Sequence, residues 1–165
     1  PTSVKPASNW LVEPNSGRHF AMKILLPTDG SEASLAAVRH ALRMVHAGLR
    51  ASFVLANVQE PASLYEVVVA HDAKVIEEVS AAAAAHLLQP AQALLRASGA
   101  DFETEIASGD PGHLLVEMAE AFGCDMVVIG ARGAGSLRGA LLGSVSNSVL
   151  HGCRVPVMVV KQPED

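Results

Sequence analysis

Aromatic side chains are scarce in this chain: one Trp, one Tyr and four Phe make up 4% of 165 residues. The core must therefore be built from Val, Leu, Ile and Ala. Cysteine is scarcer still. Cys124 and Cys153 are too few for a disulfide scaffold, and their spacing matches no zinc motif, so two reduced thiols in a cytosolic protein are expected. The 12 basic residues are scattered with no Lys/Arg run, and 17 acidic residues leave a net charge of -5, which argues against a nucleic-acid partner. No apolar run approaches the roughly 20 residues needed to cross a bilayer. The first twenty residues lack the apolar stretch of a signal peptide and carry Pro1, Pro6, Pro14, Asn15, Ser16 and Gly17 instead. Together these absences predict a soluble, cytoplasmic protein with neither a membrane nor a nucleic-acid partner.

Half of the residues are apolar, enough for a sizeable core and too many for a disordered chain. The length suits one domain. Residues 1–21 show no helical or alternating period and predict a flexible N-terminal extension; docking of Trp10 and Leu11 on a partner is the alternative. Residues 22–162 predict the folded domain. Residues 22–26 form a short apolar run closed by Pro27 and Gly30, as in a buried strand. Ser31 can cap a helix, with Glu32 in its first turn, and Leu35, Val38, Leu42, Val45 and Leu49 recur at helical spacing. Gly48 is a plausible stop for it. Residues 52–58 read as a second strand ended by Pro61.

Residues 65–98 read as a long helical stretch, kinked or divided at Pro90 and ended by Gly99. Residues 102–106 alternate as an edge strand does. Asp110 and Pro111 mark a helix start, with Leu114, Leu115, Met118 and Phe122 as its buried face and Gly123 as its stop. Residues 126–129 are apolar throughout. A glycine-rich loop spans 130–143, a short helix 144–150, and the last strand 155–160. Alternating strands and helices predict an α/β fold: a single three-layer, doubly wound domain with a five-stranded parallel sheet. The strands at 22 and 126 belong inside it and the strand at 102 at an edge.

Ligands of an open parallel sheet bind beyond the carboxyl ends of the strands, where the strand order reverses. Two loops sit at such ends: Pro27, Thr28, Asp29, Gly30 and Ser31 after the first strand, and Gly130, Ala131, Arg132 and Gly133 after the fourth. Glycines let the backbone approach a phosphate and turn its N–H groups inward. Gly143 and Ser144 then open a helix, whose positive end favours an anion. Ser144 and Ser146 add hydroxyls, Arg132 and Arg138 charge. A flexible surface loop is the plainer alternative. The P-loop pattern is absent, and Arg138 stands where the third glycine of a dinucleotide fingerprint belongs.

The spacing G-x2-G-x9-G-[ST] is met in full by Gly130, Gly133, Gly143 and Ser144. With the strand leading to Asp29 and Ser31, and an ending through Val145, Ser146, Val149, Leu150 and residues 156–160, the chain resembles the universal stress protein family, in particular its ATP-binding branch. The likeness covers about residues 22–161 and implies an adenine nucleotide alpha hydrolase-like sheet of order 3-2-1-4-5. It also implies ATP with Mg2+ or Mn2+ as ligand. Asp29 would meet ribose or the metal region, and Val58 would line the adenine pocket beside Pro27 and Thr28. Ile129, Gly130, Arg132 and Gly133 would follow the ribose and first phosphates; Gly143, Ser144, Val145 and Ser146 would hold the outer ones. A stress-response module is implied, dimerising through the strand 155–160, with a downstream protein partner that the residues do not name.

Two other functions compete: a slow ATPase or nucleotide-dependent transferase in the same cleft, and a nucleotide-free interaction module. The first lacks a convincing base or nucleophile, and the intact glycine motif argues against the second. No catalytic residue and no direct metal ligand are assigned. The seven histidines show no metal spacing, and no serine has the G-x-S-x-G setting of a hydrolase. Asp125 precedes a strand on the side away from the cleft and is read as structural.

Overall fold

The computed structural model describes residues 21–60, 73–132 and 142–162. Within them run β1 (Met22–Pro27), α1 (Glu32–His46), β2 (Ala51–Gln59), α2 (Ala73–Ala97), β3 (Phe102–Ser108), α3 (Pro111–Ala121), β4 (Met126–Gly130), α4 (Ser144–Gly152) and β5 (Val157–Val160). The strands form one parallel sheet in the order β3-β2-β1-β4-β5. Ile24 is in register with both Phe53 and Met126, and Val127 with Val157.

Each strand sends alternate side chains to opposite faces. Ile24, Leu26, Phe53, Leu55 and Val128 pack with Leu35, Val38 and Leu42 of α1 and Leu88 and Leu95 of α2. Leu25, Val54, Ala56, Val127 and Ile129 pack with Leu115 and Met118 of α3 and Val149 of α4. Three layers result, and the buried stretches of β1, β2 and β4 are almost wholly apolar because neither face meets water. At the amino edge of the sheet Asp125 has the structural role expected of it. Its Oδ2 accepts from the Lys23 backbone N–H at 2.8 Å, and its own N–H donates to the Lys23 carbonyl at 2.7 Å, closing the start of β4 onto β1.

Three sequence expectations need correction. The helix at Pro90 is one element, not two. Proline removes the N–H that would reach the His86 carbonyl. His86, Gln89 and Pro90 are all exposed, so water can serve that carbonyl. α1 ends at His46, short of Leu49; Leu49 packs against the core from the turn that follows. The last strand begins at Val157 rather than at 155, since Pro156 can only accept, taking the Val127 N–H at 2.9 Å. β2 runs from Ala51 to Gln59, one residue beyond the expected strand at each end, and stops before Pro61 as expected. The part of the long helical stretch in residues 65–72 and the extension through residue 20 lie outside the described residues.

Both cysteines are free thiols. Burial pushes the Cys124 thiol up from 9.0 to about 11, with Lys23 opposing and Asp125, Glu103 and Cys153 adding to the rise. A raised folded-state value means that below pH 9 both states hold the proton. Above it the unfolded chain gives up its proton first and unfolding gains. Folding stability should therefore decline between pH 9 and about 11, and Cys124→Ala should remove this part of the decline. Urea denaturation across that range, on both proteins, measures it; parallel curves would refute it.

Candidate functional site

The order of the sheet reverses between β1 and β4, since β2 lies on one side of β1 and β4 on the other. Beyond their carboxyl ends opens a cleft of about 350 Å³, a volume in the range of small-molecule sites.

One wall is the turn from β1 into α1. Thr28, 5% exposed, is fastened at three points. Its N–H donates to the Ala56 carbonyl at 2.8 Å. Its hydroxyl shares a 3.0 Å hydrogen bond with Ser34 Oγ and accepts from the Gly30 N–H at 3.3 Å. Its carbonyl accepts from Asn57 Nδ2 at 2.7 Å. Asp29 Oδ1 accepts from the N–H and hydroxyl of Ser31 at 3.0 and 2.5 Å, while Ser31 Oγ accepts the Ser34 N–H as the cap of α1. Gly30 makes this turn possible with φ at +78°, a conformation that costs a side chain strain.

The opposite wall is the start of α4. Ser31 caps α1 and Asp110 caps α3, but α4 begins at Gly143 with no side-chain cap. The first N–H groups of a helix have no partner inside it, and Ser144, Val145 and Ser146, which carry them here, line the cleft. Gly143 is itself held by its N–H to the Ala131 carbonyl at 2.8 Å. Ser146, 3% exposed, spends its hydroxyl on the Gly130 carbonyl at 2.8 Å, joining α4 to the end of β4. At Gly130 a Cβ would stand 2.6 Å from the Ala33 carbonyl oxygen, so α1 can cross β4 only over a glycine.

Eleven of the twelve residues singled out from the sequence line this one cleft: Pro27, Thr28, Asp29, Val58, Ile129, Gly130, Arg132, Gly143, Ser144, Val145 and Ser146. The twelfth, Gly133, lies outside the described residues, as does Arg138. Ser34, Ala56, Glu60, Pro111 and Leu115 complete the lining and were not singled out as site residues. The helix-start signal at Asp110 and Pro111 was visible, but nothing local says that this start faces β1. Among the described residues no group of three His, Cys, Asp or Glu is poised for a metal ion, and no helix is long and apolar enough to cross a membrane. His113, the histidine nearest the start of α3, pairs with Glu117 at 3.2 Å on the surface.

A parallel sheet of this order, with a cleft between a turn after β1 and a glycine-led helix after β4, is the adenine nucleotide alpha hydrolase-like architecture. The family model "Universal stress protein family" matches residues 21–161. A universal stress protein of Methanocaldococcus jannaschii, MJ0531, is 30% identical over 149 residues, covering 90% of this chain and 87% of that protein. The solved structure of the protein MJ0577 superposes with a TM-score of 0.73 at 28% identity, covering 87% of this chain and 97% of the other. A universal stress protein solved in complex with cAMP superposes with a TM-score of 0.59 at 29% identity, over 84% and 95%. The chain belongs to the universal stress protein family.

Gly130→Ala should destabilise the fold by about 1–3 kcal/mol, the usual cost of overpacking, because the new methyl meets the α1 backbone and not a movable side chain. Denaturant titration reads this directly, and a midpoint equal to that of the parent would disprove the close approach.

Proposed function

We propose that this chain is an ATP-binding regulatory module of the stress response, acting in the cytoplasm as a homodimer. The observation that carries the reading is the division of the cleft into two unlike halves. Pro27, Ala56, Val58, Pro111 and Leu115 offer an apolar slot for a flat base, while α4 presents an uncapped amino end and Arg132. Adenine fits the first half and phosphate the second, because helix N–H groups and the helix dipole favour an anion. A relative in complex with cAMP supports an adenine nucleotide as the class of ligand.

In this reading Asp29 takes the ribose hydroxyls, Ile129, Gly130, Arg132 and Gly133 follow the ribose and first phosphates, and Gly143, Ser144, Val145 and Ser146 hold the outer ones. Mg2+ or Mn2+ would arrive on the phosphates, with Asp29 on that side of the cleft, and would neutralise part of their charge. The dimer would form by pairing of β5, which among the described strands borders only β4 and whose half-buried Val157–Val160 would gain cover from a second copy.

Calorimetry with Mg2+ and ATP, ADP or AMP tests the ligand. ATP should bind tightest, since its outer phosphates reach α4. Ser144→Glu should weaken ATP at least about tenfold while leaving the fold as stable or more so by about 0.3–1 kcal/mol, because a carboxylate suits a helix start but repels phosphate. No heat at millimolar nucleotide would overturn the reading. Sedimentation equilibrium tests the dimer, and a monomer at every protein concentration would remove that part.

A further inference from the structure

β2 is buried from Phe53 to Asn57, and only its last buried residue is polar. Asn57 is 2% exposed. It is flanked by Ala56 and Val58, which line the cleft, while Asn57 does not. A buried amide costs free energy unless its donor and acceptor are both matched. Here both are. Nδ2 donates to the Thr28 carbonyl at 2.7 Å, and Oδ1 accepts from Gln59 Nε2 at 2.5 Å. The assignment of the amide follows from chemistry, because a carbonyl can only accept and the nitrogen must face it.

The carbonyl in question belongs to the peptide that joins Thr28 to Asp29. Ala56 holds the Thr28 N–H, and Ser34 and Gly30 hold its hydroxyl. Asn57 holds the one remaining group. With the residue held on its N–H and hydroxyl, turning the Thr28–Asp29 peptide would break the Asn57 bond, which favours one direction for the chain leaving β1. That direction decides where Asp29 stands in the cleft.

We propose that Asn57 is a positioning residue of the nucleotide cleft: its buried amide sets the orientation of the Thr28–Asp29 peptide, and through it Asp29, without touching the ligand. The proposal deepens the nucleotide-binding reading above and rests on it.

Two variants test it in the full chain. Asn57→Leu keeps the bulk and removes the donor. ATP should bind about tenfold more weakly at every pH. Asn57→Asp keeps the shape, and its carboxyl donates to the Thr28 carbonyl only when protonated. Burial beside a carbonyl raises the affinity of that carboxyl for its proton. Its ATP dissociation constant, divided by that of the parent at the same pH, should be near one in acid and climb toward about tenfold as pH rises. Because ionising a buried carboxyl also destabilises the fold, urea denaturation of Asn57→Asp at each pH separates a lost turn from lost folded protein: the ratio should climb while the variant is still fully folded. Amide exchange in the ligand-free proteins supplies a reading that needs no nucleotide. The Gly30 and Ser31 N–H groups, bonded to Thr28 Oγ1 and Asp29 Oδ1, should exchange at least about tenfold faster in Asn57→Leu.

If the parent binds no nucleotide, the functional reading fails, and exchange at Gly30 and Ser31 still decides whether Asn57 sets the turn. Parent-like binding and exchange in Asn57→Leu overturn the proposal, as does a loss in Asn57→Asp that ignores pH. Should Asn57→Leu not fold, the pH profile of Asn57→Asp decides alone.

Discussion

A missing side chain at the end of β4 is the constraint on which the site depends. Gly130 lies so close under the first turn of α1 that a Cβ would sit 2.7 Å from the Ala33 carbonyl carbon and 3.0 Å from the Ser34 nitrogen. With that space open, α1 crosses the boundary between β1 and β4, and Ser34 comes within reach of Thr28. The carbonyl of Gly130 also accepts the Ser146 hydroxyl from α4. Three elements distant in the chain therefore meet at one backbone position. A larger residue there would separate the two walls of the cleft before it touched any ligand.

Much of the fold was legible because burial on both faces leaves a plain mark. The strands at β1 and β4 lack alternation, and both pack helices on each face, as β2 does. The sequence of β3 alternates and the strand stands at an edge, but its burial does not follow that alternation: Glu103 and Thr104 are both exposed, and so is Ile106. The errors came where one local rule met a second demand. Val155 and Pro156 continue an apolar run, yet a ladder needs an N–H that Pro156 lacks. Pro90 reads as a break, yet on the outer side of a long helix one lost hydrogen bond can be met by water. Leu49 keeps the helical period, yet the chain has already left α1 and reaches the core from a turn.

The cleft was legible in part for a different reason. Glycines and a helix start at a fixed spacing follow one another in the chain, so Gly130, Gly143 and Ser144 can be seen together. Pro111 and Leu115 cannot, because their place beside β1 is set by how α3 docks on the sheet, and that is a long-range fact. Asn57 was hidden by its setting. A single polar residue inside an apolar run looks like ordinary variation until its partner, 29 residues away, is known.

Overall charge explains little of how such a cleft would hold a phosphate. The chain carries -5, and Asp29 and Glu60 both line the cleft with only Arg132 against them among the described residues. Charges beyond about 8 Å are largely screened at physiological salt, so the net value acts weakly at the site. What acts there is the geometry of α4, whose first N–H groups point one way and whose dipole adds to them. Neutral backbone donors attract phosphate without placing a lysine beside the base. Donors at α4, across the cleft from the turn after β1, would set the direction of the proposed nucleotide even in a chain whose net charge is negative.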